Sequence, residues 1–175
     1  PGADKVEEKK CNFACLLSLQ TPMNVHVRVV QDRASEAEFL DFARRLYEDD
    51  PHWVCPLDMD LKRIFDPRHN VLFQDGEAAR WLAIGPDGRT LGRIAAFINR
   101  RKAGLHVQPT GGTGFFECVN NRTVAHLLFD TAQEWLAARG MEAMDGPINF
   151  GENDRYWGLL VEGFGQPFYG MHYNP

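Results

Sequence analysis

Glu117 and Cys118 stand side by side in the apolar run Gly114 to Val119, and by residue type they are the pair best suited to chemistry. A carboxylate in such a run can act as a general base when burial lifts its pKa toward neutrality; turned outward it is an ordinary strand acid. Cys118 would become a nucleophile if His126 on the following helix came within reach, whereas a lone cysteine on an apolar strand is more commonly buried and inert. Thr110-Gly111-Gly112-Thr113-Gly114 is rich in glycine but precedes a strand rather than joining strand to helix. It therefore fits neither a dinucleotide nor a P-loop cradle and reads as a flexible turn. Asn99-Arg100-Arg101-Lys102 offers three cations, as a site for a phosphate or an acidic partner or as a solvated strand end. None of the six histidines pairs with another at i, i+4, so no metal site is expected. Trp53, Trp81, Trp135 and Trp157 are spread along the chain and read as core packing rather than base stacking.

The elements that must position these residues follow from periodicity. Val25, Val27 and Val29 alternate with polar residues as in a half-buried strand. Ser35 with Glu38 forms a capping box before a helix whose apolar face is Phe39, Phe42, Ala43, Leu46 and Tyr47, ended by Pro51. Leu57, Leu61, Ile64 and Phe65 predict a second short helix between Pro56 and Pro67. Trp81 to Ile84 and Leu91 to Ile98 flank Gly85-Pro86-Asp87-Gly88, the signature of a hairpin. After the strand Gly114 to Val119, Asn120 or Asn121 caps a long helix with Val124, Leu127, Leu128, Thr131, Trp135 and Leu136 inward, stopped by Gly140. Met141 to Ile148 reads as a strand broken at Gly146-Pro147, and Asn153 as the cap of a last helix carrying Tyr156, Leu159 and Leu160 to Gly163. The predicted order is β-α-α-β-β-β-α-β-α(-β), an α/β layered sheet with antiparallel and parallel pairs.

With 175 residues, 44% of them hydrophobic and 25% charged, the chain suits one globular domain with a real core. A net charge of −5 supplies no global positive field for nucleic acid or an anionic membrane. The apolar stretch Phe13 to Leu19 is too short to span a bilayer. The four cysteines, Cys11, Cys15, Cys55 and Cys118, are too few for a disulfide framework in a chain of this length, and a reducing, cytoplasmic setting is expected. Residues 1–22 read as a leader or disordered segment, and 23–175 as the domain.

This element order over about residues 23 to 168 resembles the GNAT superfamily of N-acetyltransferases. The strings Asp50-Pro51-His52-Trp53-Val54, Gly92-Arg93-Ile94-Ala95-Ala96, Gly114-Phe115-Phe116-Glu117-Cys118 and Asp145-Gly146-Pro147-Ile148-Asn149-Phe150 are similar to an acetyltransferase-like family of uncharacterised bacterial proteins whose members are longer. The resemblance implies a GNAT-like mixed sheet flanked by helices, and acetyl-CoA or another acyl-CoA as cosubstrate. That cosubstrate would lie along Cys118, Val119, Asn120, Asn121, Arg122 and Thr123, with its pyrophosphate on the amides of residues 120 to 124. Its pantetheine arm would meet Asn149 and Asn153, which as plain residues are a turn and a cap. Glu117 would take a proton from a small-molecule or peptide amine, and Tyr156 would protonate the departing thiolate. Two departures are visible. The superfamily turn Q/R-x-x-G-x-G/A is here Val119-Asn120-Asn121-Arg122-Thr123, without glycine, and its tyrosine position, four residues before Gly163-Phe164, is Leu159. A non-catalytic GNAT-like ligand-binding or interaction module is the alternative. Because Pro167 to Pro175 can add only one strand, the sheet is expected to be completed by a second copy, as a homodimer, or by a C-terminal continuation.

Overall fold

Two faces of one sheet are buried by different helices, and the sequence of each strand shows it. The computed structural model describes residues 24–105, 107–148 and 150, and the backbone of 156–159 and 172–174. Strands β1 (His26–Val29), β2 (Gly76–Ile84), β3 (Thr90–Asn99), β4 (Thr110–Cys118) and β5 (Ala143–Asp145) lie in the spatial order β1-β2-β3-β4-β5. The first four pair antiparallel, and β5 joins β4 in parallel. Leu82, Ile84, Ala95 and Phe97 face helices α1 (Arg33–Leu46) and α2 (Asp58–Ile64) through Phe39, Leu40, Leu61 and Ile64. Trp81, Ala83, Ile94, Ala96 and Ile98 face α4 (Arg122–Ala137) through Val124, Leu128, Ala132 and Leu136. Strands covered on both faces read as unbroken apolar runs, as Ile94 to Ile98 does. The mixed α/β architecture implied by the GNAT resemblance is the one observed.

The hairpin forms as expected, with Gly88 at φ 79° and its N–H donating to the Gly85 carbonyl at 3.0 Å. Gly140, at φ 82°, ends α4. The capping box of α1 sits one turn earlier than Ser35–Glu38: Asp32 is the cap, its carboxylate accepts from Ser35 N at 2.8 Å, and Ser35 Oγ accepts from Asp32 N at 3.1 Å. Ser35 wins as the third helical residue because it is buried there and can close both bonds.

The glycine run is not a turn. Thr110 to Gly114 form the first half of the central strand β4. A Cβ on Gly111 would lie 2.4 Å from Leu136 Cδ2, and one on Gly112 would lie 2.2 Å from the Phe97 ring. The missing side chains let α4 and the α1 face close on the sheet, a demand that local sequence does not display. Arg100 to Ala103 close into a single helical turn, α3, capped by Asn99.

The element expected as a last helix differs too. Tyr156–Leu159 is a strand, β6, in parallel register with β7 (His172–Asn174). Adjacent aromatics favour extended backbone, and Gly158 in the middle weakens a helix. The proposed cap Asn153, the leader and Cys11 and Cys15 lie outside the described residues. Among the described residues no helix is long and apolar enough to cross a membrane.

Gly112→Ala is expected to destabilise the protein by about 1–3 kcal/mol through overpacking. Gly104→Ala, whose Cβ would meet only Arg100 O at 3.4 Å, should stay within about 0.5 kcal/mol. Urea denaturation of both variants checks this; equal midpoints would remove the close-packing role of the run.

Candidate functional site at the open end of β4

The register of β4 against β3 slips by one residue between Arg93/Glu117 and Ala95/Gly114. The extra residue is accommodated at Phe115, a non-glycine residue held at φ 53°. Such a bulge reverses side-chain parity. Before it Gly112 faces the α1 side, against Phe97; after it Phe115 and Glu117 do. The Phe115 ring packs 5.9 Å from Phe39 and 5.1 Å from Phe65. Glu117 meets Arg93 directly across the strands: Arg93 Nε donates to Oε2 at 2.7 Å and Nη2 to Oε1 at 3.2 Å. The two side chains are only 4% and 5% exposed. The remaining guanidinium nitrogen Nη1 donates to the Phe39 carbonyl of α1, so the pair clamps helix to sheet.

Among the described residues β4 carries a strand on its other edge over only part of its length. Its parallel pairing with β5 covers only Thr110, Gly111 and Gly112, followed by one bond from Ile148 N to Thr113 O at 2.9 Å. Among the described residues no strand pairs with that edge from Gly114 to Cys118. The same end of β4 leads directly into α4, so an extended ligand on the edge would run toward a helix N-terminus.

The expected site residues divide among these features. Glu117 is central, but both its oxygens already accept from Arg93. Cys118 lies on the α4 side of the strand, packed with that core cluster, and burial pushes its thiol pKa up. A thiol so shifted is a poorer nucleophile. His126 is turned elsewhere: its ring nitrogen Nε2 accepts from Arg122 Nε at 3.2 Å on an exposed helix face. Asn121 is the cap of α4, its side chain accepting from Thr123 N at 2.9 Å and Val124 N at 3.2 Å. Two of the amides expected to hold a pyrophosphate are thus occupied by the cap itself. Val119 N donates to Leu91 O at 2.8 Å, while Asn120, Arg122 and Thr123 are exposed around the helix start. Asn149 and Asn153 lie outside the described residues, and Tyr156 is placed on β6 by its backbone. The basic cluster at Arg100 and Arg101 is at the opposite end of β4, about 27 Å away for a nine-residue strand, and pairs with Glu77 and Asp75. It cannot share a ligand's phosphate with the start of α4.

Sequence reading did not single out Tyr47 or Arg93, which the fold brings to the Glu117 end of β4. Tyr47 continues the inward stripe of Phe39 and Ala43 at four-residue steps, past the end of α1, and was legible only as a core residue. Its ring lies 5.4 Å from Trp53 and is half-buried. Burial, and after it the negative charge of Glu117, push its phenol pKa well above the ordinary value, so the hydroxyl keeps its proton. Arg93 was legible only as part of a family string; nothing local marks an arginine that will be buried.

No family model matches the chain. It is 34% identical over 152 residues to the bacterial ceramide synthase of Caulobacter vibrioides, covering 84% of this chain and 38% of that protein. It is 28% identical over 160 residues to protein YghO of Escherichia coli, covering 83% of this chain and 39% of that one. The chain therefore spans about two-fifths of the length of these curated relatives. Among solved structures it is similar to an acetyltransferase of the GNAT family from Staphylococcus aureus, at TM-score 0.49 and 14% identity over 69% of this chain and 70% of that one. It is similar also to AAC(6′)-Iy in complex with a CoA bisubstrate analogue, at TM-score 0.49 and 19% identity over 74% and 82%.

Glu117→Gln and Arg93→Met are each expected to cost about 3–5 kcal/mol of stability, because each leaves a buried charge without its partner. The double variant Arg93→Met with Glu117→Leu should recover much of that loss. Thermal and urea unfolding of the three proteins measures it; additive losses in the double variant would show that the pair is not coupled.

Proposed function

We propose that residues 23–175 form a GNAT-like unit that binds acyl-CoA and serves transfer of its acyl group to an amine. The observation that carries this reading is the edge of β4 beyond Thr113, with which no strand pairs among the described residues and which offers extended backbone beside the N-terminus of α4. An acyl-CoA laid there would place its thioester near Glu117 and Cys118 and its pyrophosphate near Asn120, Asn121, Arg122 and Thr123. Thr123 and Val124 could each turn from the Asn121 side chain to a phosphate, and Arg122 would add charge at the same helix end. The pantetheine arm would reach Asn149 and Asn153, with Tyr156 following. The name of the Caulobacter relative supports the reaction type, since a ceramide is the amide of a long-chain amino alcohol. A long-chain amine is accordingly the acceptor to try first.

In this reading Glu117 acts through Arg93 to hold the strand bulge. Proton removal from the amine then falls to solvent or to a residue outside the described set. Asn121 filling two amides of its own helix favours the alternative of a ligand-binding or interaction module, and one measurement separates the two.

Acetyl-CoA, or a long-chain acyl-CoA, at a hundredfold excess over its Kd should raise the melting temperature by roughly 5–10 °C. Arg122→Glu should weaken binding about fivefold in calorimetry by placing like charge beside phosphate. No thermal shift with any acyl-CoA would retire the acyl-transfer reading. Binding with unchanged affinity in the variant would move the pyrophosphate away from α4.

A further inference from the structure

The connection from β3 to β4 puts its cations and its apolar side chains on one exposed turn. Arg100, Arg101 and Lys102 open it as α3, and Leu105 and Val107 follow within five residues. Among the described residues these two are the most exposed of the large apolar side chains, Leu105 at 83% and Val107 wholly. The backbone that presents them is fixed. Asn99 Oδ1 accepts from Lys102 N at 3.3 Å, Gly104 N donates to Arg100 O at 3.2 Å, and Leu105 N donates to Lys102 O at 3.0 Å. Ala103 is buried beneath the turn, and at its far foot Glu142 N donates to Pro109 O at 2.7 Å, tying it to the chain that enters β5. Glu77 is shared by Arg100 at 2.6 Å and Arg139 at 2.7 Å, while Asp75 pairs with Arg101 at 2.5 Å. Two carboxylates thus serve three guanidinium groups, and Lys102 adds a fourth cation. A single exposed leucine is ordinary. Two apolar side chains held outward on a pinned turn, beside three consecutive cations, fit a partner that is apolar within and anionic at its surface.

We propose that this turn docks the protein on an anionic bilayer, with Leu105 and Val107 entering the boundary between headgroups and acyl chains and Arg100, Arg101 and Lys102 meeting lipid phosphates. The net charge of −5 gives no attraction by the molecule as a whole, so the contact is local. At physiological ionic strength charges are screened beyond about 8 Å, and carboxylates elsewhere on the protein count for little at the turn. Each cation brought to such a surface strengthens binding about fivefold, and burial of the two apolar side chains adds to it. Long basic side chains suit this boundary, because their stems lie along the apolar layer while their heads stay with the phosphates. An acidic protein would satisfy the cations as well. A bilayer also takes Leu105 and Val107 without offering a pocket shaped for them. The proposal stands apart from the acyl-CoA reading, whose site is at the opposite end of β4 and whose long-chain amine would be met in the same bilayer.

Co-sedimentation of the full chain with vesicles tests it. Vesicles of phosphatidylglycerol and phosphatidylcholine in equal parts should bind the protein at least about tenfold more strongly than phosphatidylcholine alone. Arg101→Ala combined with Lys102→Ala should weaken that binding about tenfold or more, and Leu105→Ser combined with Val107→Ser by a similar factor. All four side chains are exposed, so the melting temperature of both variants should stay close to that of the unsubstituted protein. Entry into the bilayer is read separately with Leu105→Trp, whose fluorescence should be quenched by lipids brominated on their acyl chains beyond any quenching of the unsubstituted protein. No sedimentation with either vesicle, or equal sedimentation with both, would overturn the proposal. So would binding that the serine variant retains in full, or a Leu105→Trp protein that sediments without added quenching; each of these would make the turn a surface for an acidic protein instead.

Discussion

The bidentate pair of Arg93 and Glu117 holds this fold together at the point where the sheet becomes irregular. Its charges are nearly wholly removed from water, which costs several kcal/mol for each ion before their attraction is counted. What offsets that cost is the full use of the guanidinium: two nitrogens on the carboxylate, the third on a helix carbonyl, and the plane 4.8 Å from the Phe39 ring centroid. The pair exists only because β4 bulges at Phe115. Without the extra residue Glu117 would face α4, among Val124 and Leu128, on the side of the sheet away from Arg93. The strained backbone at φ 53° and the buried ion pair are therefore one feature, since each makes the other tolerable.

Around that clamp the aromatic residues form a box. Phe39, Phe65 and Phe115 meet in tilted and edge contacts, with Arg93 on one side and Arg80 4.4 Å from the Phe65 ring centroid on the other. Farther along the same face Phe150 stacks between Phe73 and Phe97, and Asn70 donates to its carbonyl at 3.1 Å. Ile148 and Phe150, just after β5, thus pack with the cluster on the α1 and α2 face, while Ile148 N also donates to Thr113 O of β4.

The start of α4 is a compromise between stability and ligand binding. Asn121 satisfies two helix amides by itself, which is worth about 1 kcal/mol to the free protein. A phosphate arriving there must displace that side chain or use the amides beside it. Glycines in the turn would remove the competition, and their absence sets this chain apart from the motif it resembles.

Local sequence determined the elements whose signals are short-range. The Gly85-Pro86-Asp87-Gly88 hairpin, the apolar stripe of α4 with Asn121 at its start and Gly140 at its end, and the short helix between Pro56 and Pro67 were all readable, because each is closed by residues within a few positions. Tertiary contacts decided the rest. Thr110 to Gly114 looked like a turn, since glycine's need for close neighbours, here Leu136 and Phe97, is invisible until those neighbours are folded against it. Tyr156 looked helical by spacing, yet its strand is fixed by pairing with His172, sixteen residues on. Glu117 was recognised as important from its type alone, but its partner was not. A bulge changes which face a residue occupies by one step of the chain, and only the paired strand, with Arg93 on it, shows that the step was taken.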